Sequence, residues 1–121
     1  MNPEDFIQQY ESALASQNWN KVSPLVHNKV SVTFSDGSTH IGQAKVEKAF
    51  KRNFSLIENE NYQMKNIFWL HKADDMAVYL FNFHWTGRIK GKLASGQGKG
   101  TSVLLKEEGK CYLLCEHLSR V

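Results

Sequence analysis

Glu116 and His117 stand side by side after an apolar run, Cys111-Tyr112-Leu113-Leu114-Cys115. A carboxyl and an imidazole are side chains suited to proton transfer near neutral pH. On a strand, neighbouring side chains leave on opposite faces, so the two cannot form a dyad unless a bulge intervenes. One is expected in a pocket and the other on the far face or at a rim; Glu116 is read as the inner group and His117 as the outer one. A glutamate among aromatic rings has a raised pKa and can donate or abstract a proton near neutrality. The competing role for Glu116 is structural, paired with Lys99 or a tyrosine hydroxyl at the sheet edge.

Other stretches that invite chemistry fail on spacing. "GQGKGT" lacks the first glycine of a phosphate loop, because Leu93 stands there, and Gly100 rather than Ser or Thr follows Lys99. It joins strand to strand with no helix terminus for a phosphate, and reads as a hairpin or bulge. Cys111 and Cys115 would be roughly 13 Å apart on a strand, beyond disulfide reach. They are read as small buried hydrophobes. No zinc spacing exists, and neither a metal nor a cofactor is expected.

The elements that would hold these groups follow from periodicity. Asn2-Pro3-Glu4-Asp5 reads as a helix start, followed by an apolar stripe of Phe6, Tyr10 and Leu14. A short helix is expected from Asn18-Trp19, with Val22, Leu25 and Val26 inward and Pro24 limiting it. "KVSVTFSDGST" alternates as a strand entering an Asp36-Gly37 turn. "QAKVEKAFKRNFSLI" puts Val46, Phe50, Phe54 and Ile57 on one face of a helix. Everything after Asn59 reads as strand, with a three-residue turn at Glu107-Glu108-Gly109. Helices segregated from an antiparallel meander give an α+β fold.

At 121 residues, 41% apolar and 12% aromatic, the chain is sized for one domain, residues 1–121, with a real core. No run approaches the ~18 apolar residues of a membrane span. The start "MNPEDFIQQY" lacks the regions of a signal peptide, so a cytoplasmic location is expected. The net charge of +3 is mild. Arg88, Lys90, Lys92 and Lys99 read as solvated loop charge, and no nucleic-acid partner is expected.

In "MAVYLFNFHWTG", Tyr79, Phe81, Phe83 and Trp85 share one side, while Val78 and Leu80 share the other. A sheet with one wet face should alternate cleanly, and this strand does not. Three helices are too few to cover both faces, so a homodimer packed sheet to sheet is expected.

The order of elements resembles the nuclear transport factor 2-like superfamily, in its SnoaL-like branch, over essentially the whole chain. The residues that carry it are Asn18-Trp19, Phe34-Ser35-Asp36-Gly37, Gly42, Asn66-Ile67, Asp75-Met76-Ala77-Val78-Tyr79, Gly98-Lys99-Gly100-Thr101-Ser102-Val103, Gly109-Lys110 and Glu116-His117-Leu118-Ser119. The resemblance implies a cone: three N-terminal helices on a strongly curved antiparallel sheet, a pocket at the open end, and a dimer through the sheet. It implies a pocket lined by Phe34, Phe54, Tyr79, Phe81, Phe83, Trp85, Ser102 and Glu116. Isomerases of this fold resemble one another in a carboxylate base after the first strand. The matching position here is near Ser35, and Asp36 beside it has an ordinary turn explanation. In the similar kinase association domains, arginines occupy the positions of Phe83, Ser102 and Leu118, so their carboxylate-binding role does not transfer.

Fold alone does not choose a function. The leading expectation is binding of a small, largely apolar molecule. One alternative is an isomerase, polyketide cyclase or dehydratase using Glu116 or His117 as the acid–base group. Another is a dimeric assembly module.

Overall fold

The computed structural model describes residues 1–121. Helix α1 (Pro3–Ser16) begins as the local chemistry dictates: the Asn2 side chain accepts from the Asp5 amide at 2.8 Å, and Pro3 opens the first turn. Its buried stripe includes Phe6, Tyr10, Ala13 and Leu14. Helix α2 (Trp19–Val22) is a single turn, continued by a 3-10 turn at Ser23–Leu25 that contains Pro24. Val26, expected in that helix, instead opens strand β1 (Val26–Thr33). A turn then leads to the short strand β2 (Thr39–Ile41). In it Gly37 has φ 88°, and the Ser38 amide donates to Asp36 Oδ1 at 2.8 Å.

Helix α3 (Gln43–Leu56) buries Val46 and Phe50. Four long strands follow: β3 (Glu58–Lys72), β4 (Met76–Ile89), β5 (Lys92–Glu107) and β6 (Lys110–Arg120). They form one six-stranded sheet in the order β2-β1-β6-β5-β4-β3. Two details of the expected cone change. The third helix follows the first strand pair, so the helices are not all N-terminal. The sheet is mixed, because β1 lies parallel to β6. Those two strands are separated by most of the chain, so no hairpin forces them antiparallel.

The sheet is curved, and its ladders carry the irregularities that bend strands. Register shifts interrupt β3–β4 at three places, and Asn59 and Asn66 take φ of 53° and 56°. The helices pack against the sheet through one core of 21 buried apolar residues. The Met64 amide donates to Glu11 Oε2 at 2.7 Å, tying α1 to β3.

Two turns differ from the sequence expectation. "GQGKGT" lies in the middle of β5, paired continuously with β4, while the hairpin itself is Lys90-Gly91. Gly96, Gly98 and Gly100 stand opposite Trp85, Phe83 and Phe81, whose rings lie over the space a Cβ would fill. The rings can lie flat on the sheet because these positions have no side chain. The β5–β6 turn is the two-residue Glu108-Gly109, with φ of 52° and 77°. The extra residue sits further along as a bulge at Leu114, where Leu104 pairs with Leu113 but Val103 pairs with Cys115. The bulge puts Cys111 and Leu113 inside, as well as Glu116 and Leu118, and turns Leu114 and Cys115 half outward.

Candidate functional site

A cavity of about 430 Å³ opens between α3, the turn after β1 and the inner faces of β3, β4 and β6. Its walls are aromatic because the inward positions of those elements are. Phe50 lies 5.7 Å from Phe34 and 6.1 Å from Phe54, ring centre to ring centre, along one wall. Across from them Tyr62 stacks on Phe83 at 6.4 Å, and Trp85 continues the row. Tyr10, Leu14, Glu116 and Leu118 close the inner end. Ser35, Asp36, Ser38, His40, Arg52 and Glu60 supply the polar groups. Two other surface depressions, of about 450 Å³ each, are shallower and lined mainly by polar residues.

Glu116 is 2% exposed. The bulge on β6 sets its face, and its register partner on β5 is Ser102. Its carboxylate accepts from the Tyr10 hydroxyl at 3.1 Å and from the Ser102 hydroxyl at 3.4 Å. Burial pushes its pKa up to about 7, and those two hydrogen bonds oppose the rise. At neutral pH the group is therefore split between acid and base. Of the two structural partners considered, it has a tyrosine hydroxyl and not Lys99, which is exposed. Tyr79, directly across from Ser102, buries a hydroxyl with no hydrogen-bond partner. The Ser102 hydroxyl is near enough to ease its phenol slightly, but burial still raises the Tyr79 pKa.

The expected lining divides in two. Phe34, Phe54, Phe83, Trp85 and Glu116 stand on the cavity wall. Tyr79, Phe81 and Ser102 do not; they are 0%, 2% and 0% exposed and lie one layer deeper, packed in the core. His117 is exposed on the opposite face of β6, beside Thr101 and Thr33, so it cannot act in this cavity. Parity along the strand explains this: no bulge separates it from Glu116. Asp36 is at the mouth, where the Ser38 hydrogen bonds hold its pKa below the usual value.

Sequence reasoning missed four groups. Tyr10 was counted in an apolar helix stripe; its hydroxyl was the signal that the stripe faced something polar. Glu60 and Tyr62 are on β3 in the same alternation as buried Met64. Burial alone raises the Glu60 pKa to about 7. His40 comes from β2, its ring 5.5 Å from that of Phe34 and its Nε2 3.2 Å from Ser38 Oγ. No group of three or more His, Cys, Asp and Glu side chains is arranged to hold a metal.

Comparison with known proteins gives the same architecture. A protein from Xanthomonas campestris named for the calcium/calmodulin-dependent protein kinase II association domain superposes with a TM-score of 0.84 at 21% identity, covering 95% of this chain and 82% of its own. A nuclear transport factor 2-like superfamily protein from Salmonella enterica gives 0.86 at 14% identity, over 96% and 86%. A protein from Streptomyces avermitilis, named for a dehydratase of that family, gives 0.86 at 14%, over 96% and 91%. At such identities these likenesses speak for the fold only. No curated protein matches the chain in sequence. The family profile described as "SnoaL-like domain" matches residues 4–121, and the chain therefore belongs to the SnoaL-like domain family, with a nuclear transport factor 2-like fold.

Proposed function

We propose that this protein binds a small, largely apolar molecule in the aromatic cavity, with a polar end of the ligand directed at Glu116. One observation carries the reading: an open, ring-lined space of about 430 Å³ with a buried carboxyl at its inner end. That volume is within the ~300–1,000 Å³ of small-molecule sites. Thermal denaturation against a panel of apolar aromatic compounds tests it. A compound that occupies the cavity raises the midpoint in proportion to the logarithm of its concentration. A panel that leaves the midpoint unmoved contradicts the reading.

An isomerase-, cyclase- or dehydratase-type enzyme is the second reading. It is favoured by the Glu116 carboxyl, at about 7 and held by Tyr10, because a group poised near neutrality can serve as acid or base. Turnover with a bell-shaped pH profile, abolished by Glu116→Gln, would establish it. Ligand stabilisation without turnover would leave the binding reading alone.

The outer face of the sheet supports a homodimer. Phe68 and Leu80 are register partners there, 61% and 37% exposed, with Leu70 at 54% and half-buried Val78 and Val103 beside them. A second copy would remove that surface from water. No helix is long and apolar enough to cross a membrane. A cytoplasmic site is proposed, to be checked by cell fractionation.

A further inference from the structure

Resting on the reading that the cavity takes an apolar molecule, we propose that its ligand is an organic cation. The ammonium group would be directed at the carboxyls of Glu60 and Glu116, and its aromatic or alkyl body would lie against the rings.

Three observations converge. First, the two carboxyls enter the same cavity from different strands, β3 and β6, and neither forms an ion pair. Glu116 accepts one hydrogen bond on each oxygen, which leaves acceptor capacity on both. Glu60 is half-buried and has no ion-pair partner, and only its own burial perturbs it. Second, the walls offer aromatic rings from two sides, Phe34, Phe50 and Phe54 against Tyr62, Phe83 and Trp85. Ring faces carry negative electrostatic potential and attract cations. Third, no basic group offsets the acids. Arg52 and His40 line the cavity, but Arg52 is exposed and His40 is engaged with Ser38 and Phe34. Neither contributes to the state of Glu60 or Glu116.

Each class of ligand then meets a different outcome. An anion would face two carboxyls and the negative faces of the rings. A neutral apolar molecule would further desolvate both acids and drive them to the protonated form, with no gain from charge. A cation supplies a counter-charge to the carboxyl it meets and gains from the rings. With the cavity empty, burial keeps both acids near half-protonated at neutral pH, so cation binding would drive proton release from them.

The groups facing these acids are identifiable. Tyr10 from α1, Ser102 from β5, Tyr79 from β4 and Tyr62 from β3 surround Glu116. Burial raises the pKa of all three phenols, so they stay protonated throughout the neutral range. Tyr62 is also the neighbour of Glu60, and Asp36, His40 and Arg52 stand at the mouth. Comparing wild type with Gln variants at each pH isolates the two acids from those mouth groups.

The test uses one scaffold with three ends: 4-phenylbutylamine, 4-phenylbutan-1-ol and 4-phenylbutyrate, titrated calorimetrically into the intact protein. Near pH 8 the amine is expected to bind about tenfold tighter than the alcohol, a gain of about 1.4 kcal/mol, with the butyrate weakest. The amine's advantage should shrink near pH 6, where both carboxyls are mostly protonated. Glu116→Gln and Glu60→Gln should each cut the amine's preference severalfold and leave alcohol binding in place. Should Glu116→Gln fail to fold, the less buried Glu60→Gln carries the comparison. An alcohol that binds as tightly as the amine, or a butyrate that binds tightest, overturns the cation assignment while the apolar-ligand reading stands. No binding by any of the three overturns both.

Discussion

Glu116 costs the folded protein stability as pH rises, and the sign follows from its environment. Its folded pKa of about 7 is above the ordinary 4.5. Its contribution is therefore most favourable below the unfolded pKa and is lost as pH rises through about 7. Two and a half units correspond to about 3 kcal/mol, and Glu60 adds in the same direction. Glu116→Gln keeps the shape and removes the titration. We expect the variant to match wild type in chemical denaturation near pH 4 and to exceed it by up to about 3 kcal/mol near pH 8. A wild type that gains on the variant as pH rises would show that the carboxylate form is the one the fold prefers. Strand parity made legible only that Glu116 and His117 leave on opposite faces; the choice of Glu116 as the inner one came from the assumed turn and the family resemblance. Its partner Tyr10 was not legible, because the two residues are 106 positions apart and only the folded chain brings the hydroxyl to the carboxylate.

At the scale of elements, β5 is built around absence. The spaces over Gly96, Gly98 and Gly100 are filled by rings from β4, and a Cβ at Gly98 would also meet the Ser119 carbonyl, which is backbone and cannot swing away. At Gly96 the obstacle is only the half-buried Trp85 side chain. We expect Gly98→Ala to destabilise by roughly 3 kcal/mol and Gly96→Ala by about 1 kcal/mol, read from urea denaturation midpoints. Equal losses at both positions would contradict this account of the strand. The helices, the long strands and the inward aromatic row were legible because each has a plain period. The middle of β5 was not, since glycines read as a turn until the rings that occupy their places are known. The face of Glu116 was reached through the wrong feature, and the β5–β6 register was not reached: a three-residue turn would set Ser102 opposite Leu114, whereas Ser102 pairs with Glu116. One extra residue was assigned to the turn, and the chain places it in a bulge at Leu114. Both arrangements give Glu116 the same face, but only the bulge brings Leu113 inside.

The whole molecule presents two apolar surfaces, a hollow on the helix side and a patch on the sheet's back. The patch predicts self-association. Sedimentation equilibrium should show a dimer for wild type and a monomer for Leu80→Lys, which puts a charge from each copy into the interface. A wild type that is monomeric at every concentration would remove the dimer from the account. The patch was foreseeable in outline from a strand apolar on both sides, whereas the hollow was expected only from the family resemblance. The hollow's polar lining was not, because Glu60, His40 and Arg52 come from three elements whose convergence no local pattern records.

The account depends most on the hollow being a ligand site. Its most direct test is a map of amide and aromatic NMR shift changes in the wild-type protein as 4-phenylbutan-1-ol is added. Changes concentrated at Phe34, Phe54, Tyr62, Phe83, Trp85 and Glu116 are the predicted result. Changes confined to the back of the sheet around Phe68 and Leu80, or none at all, would contradict it.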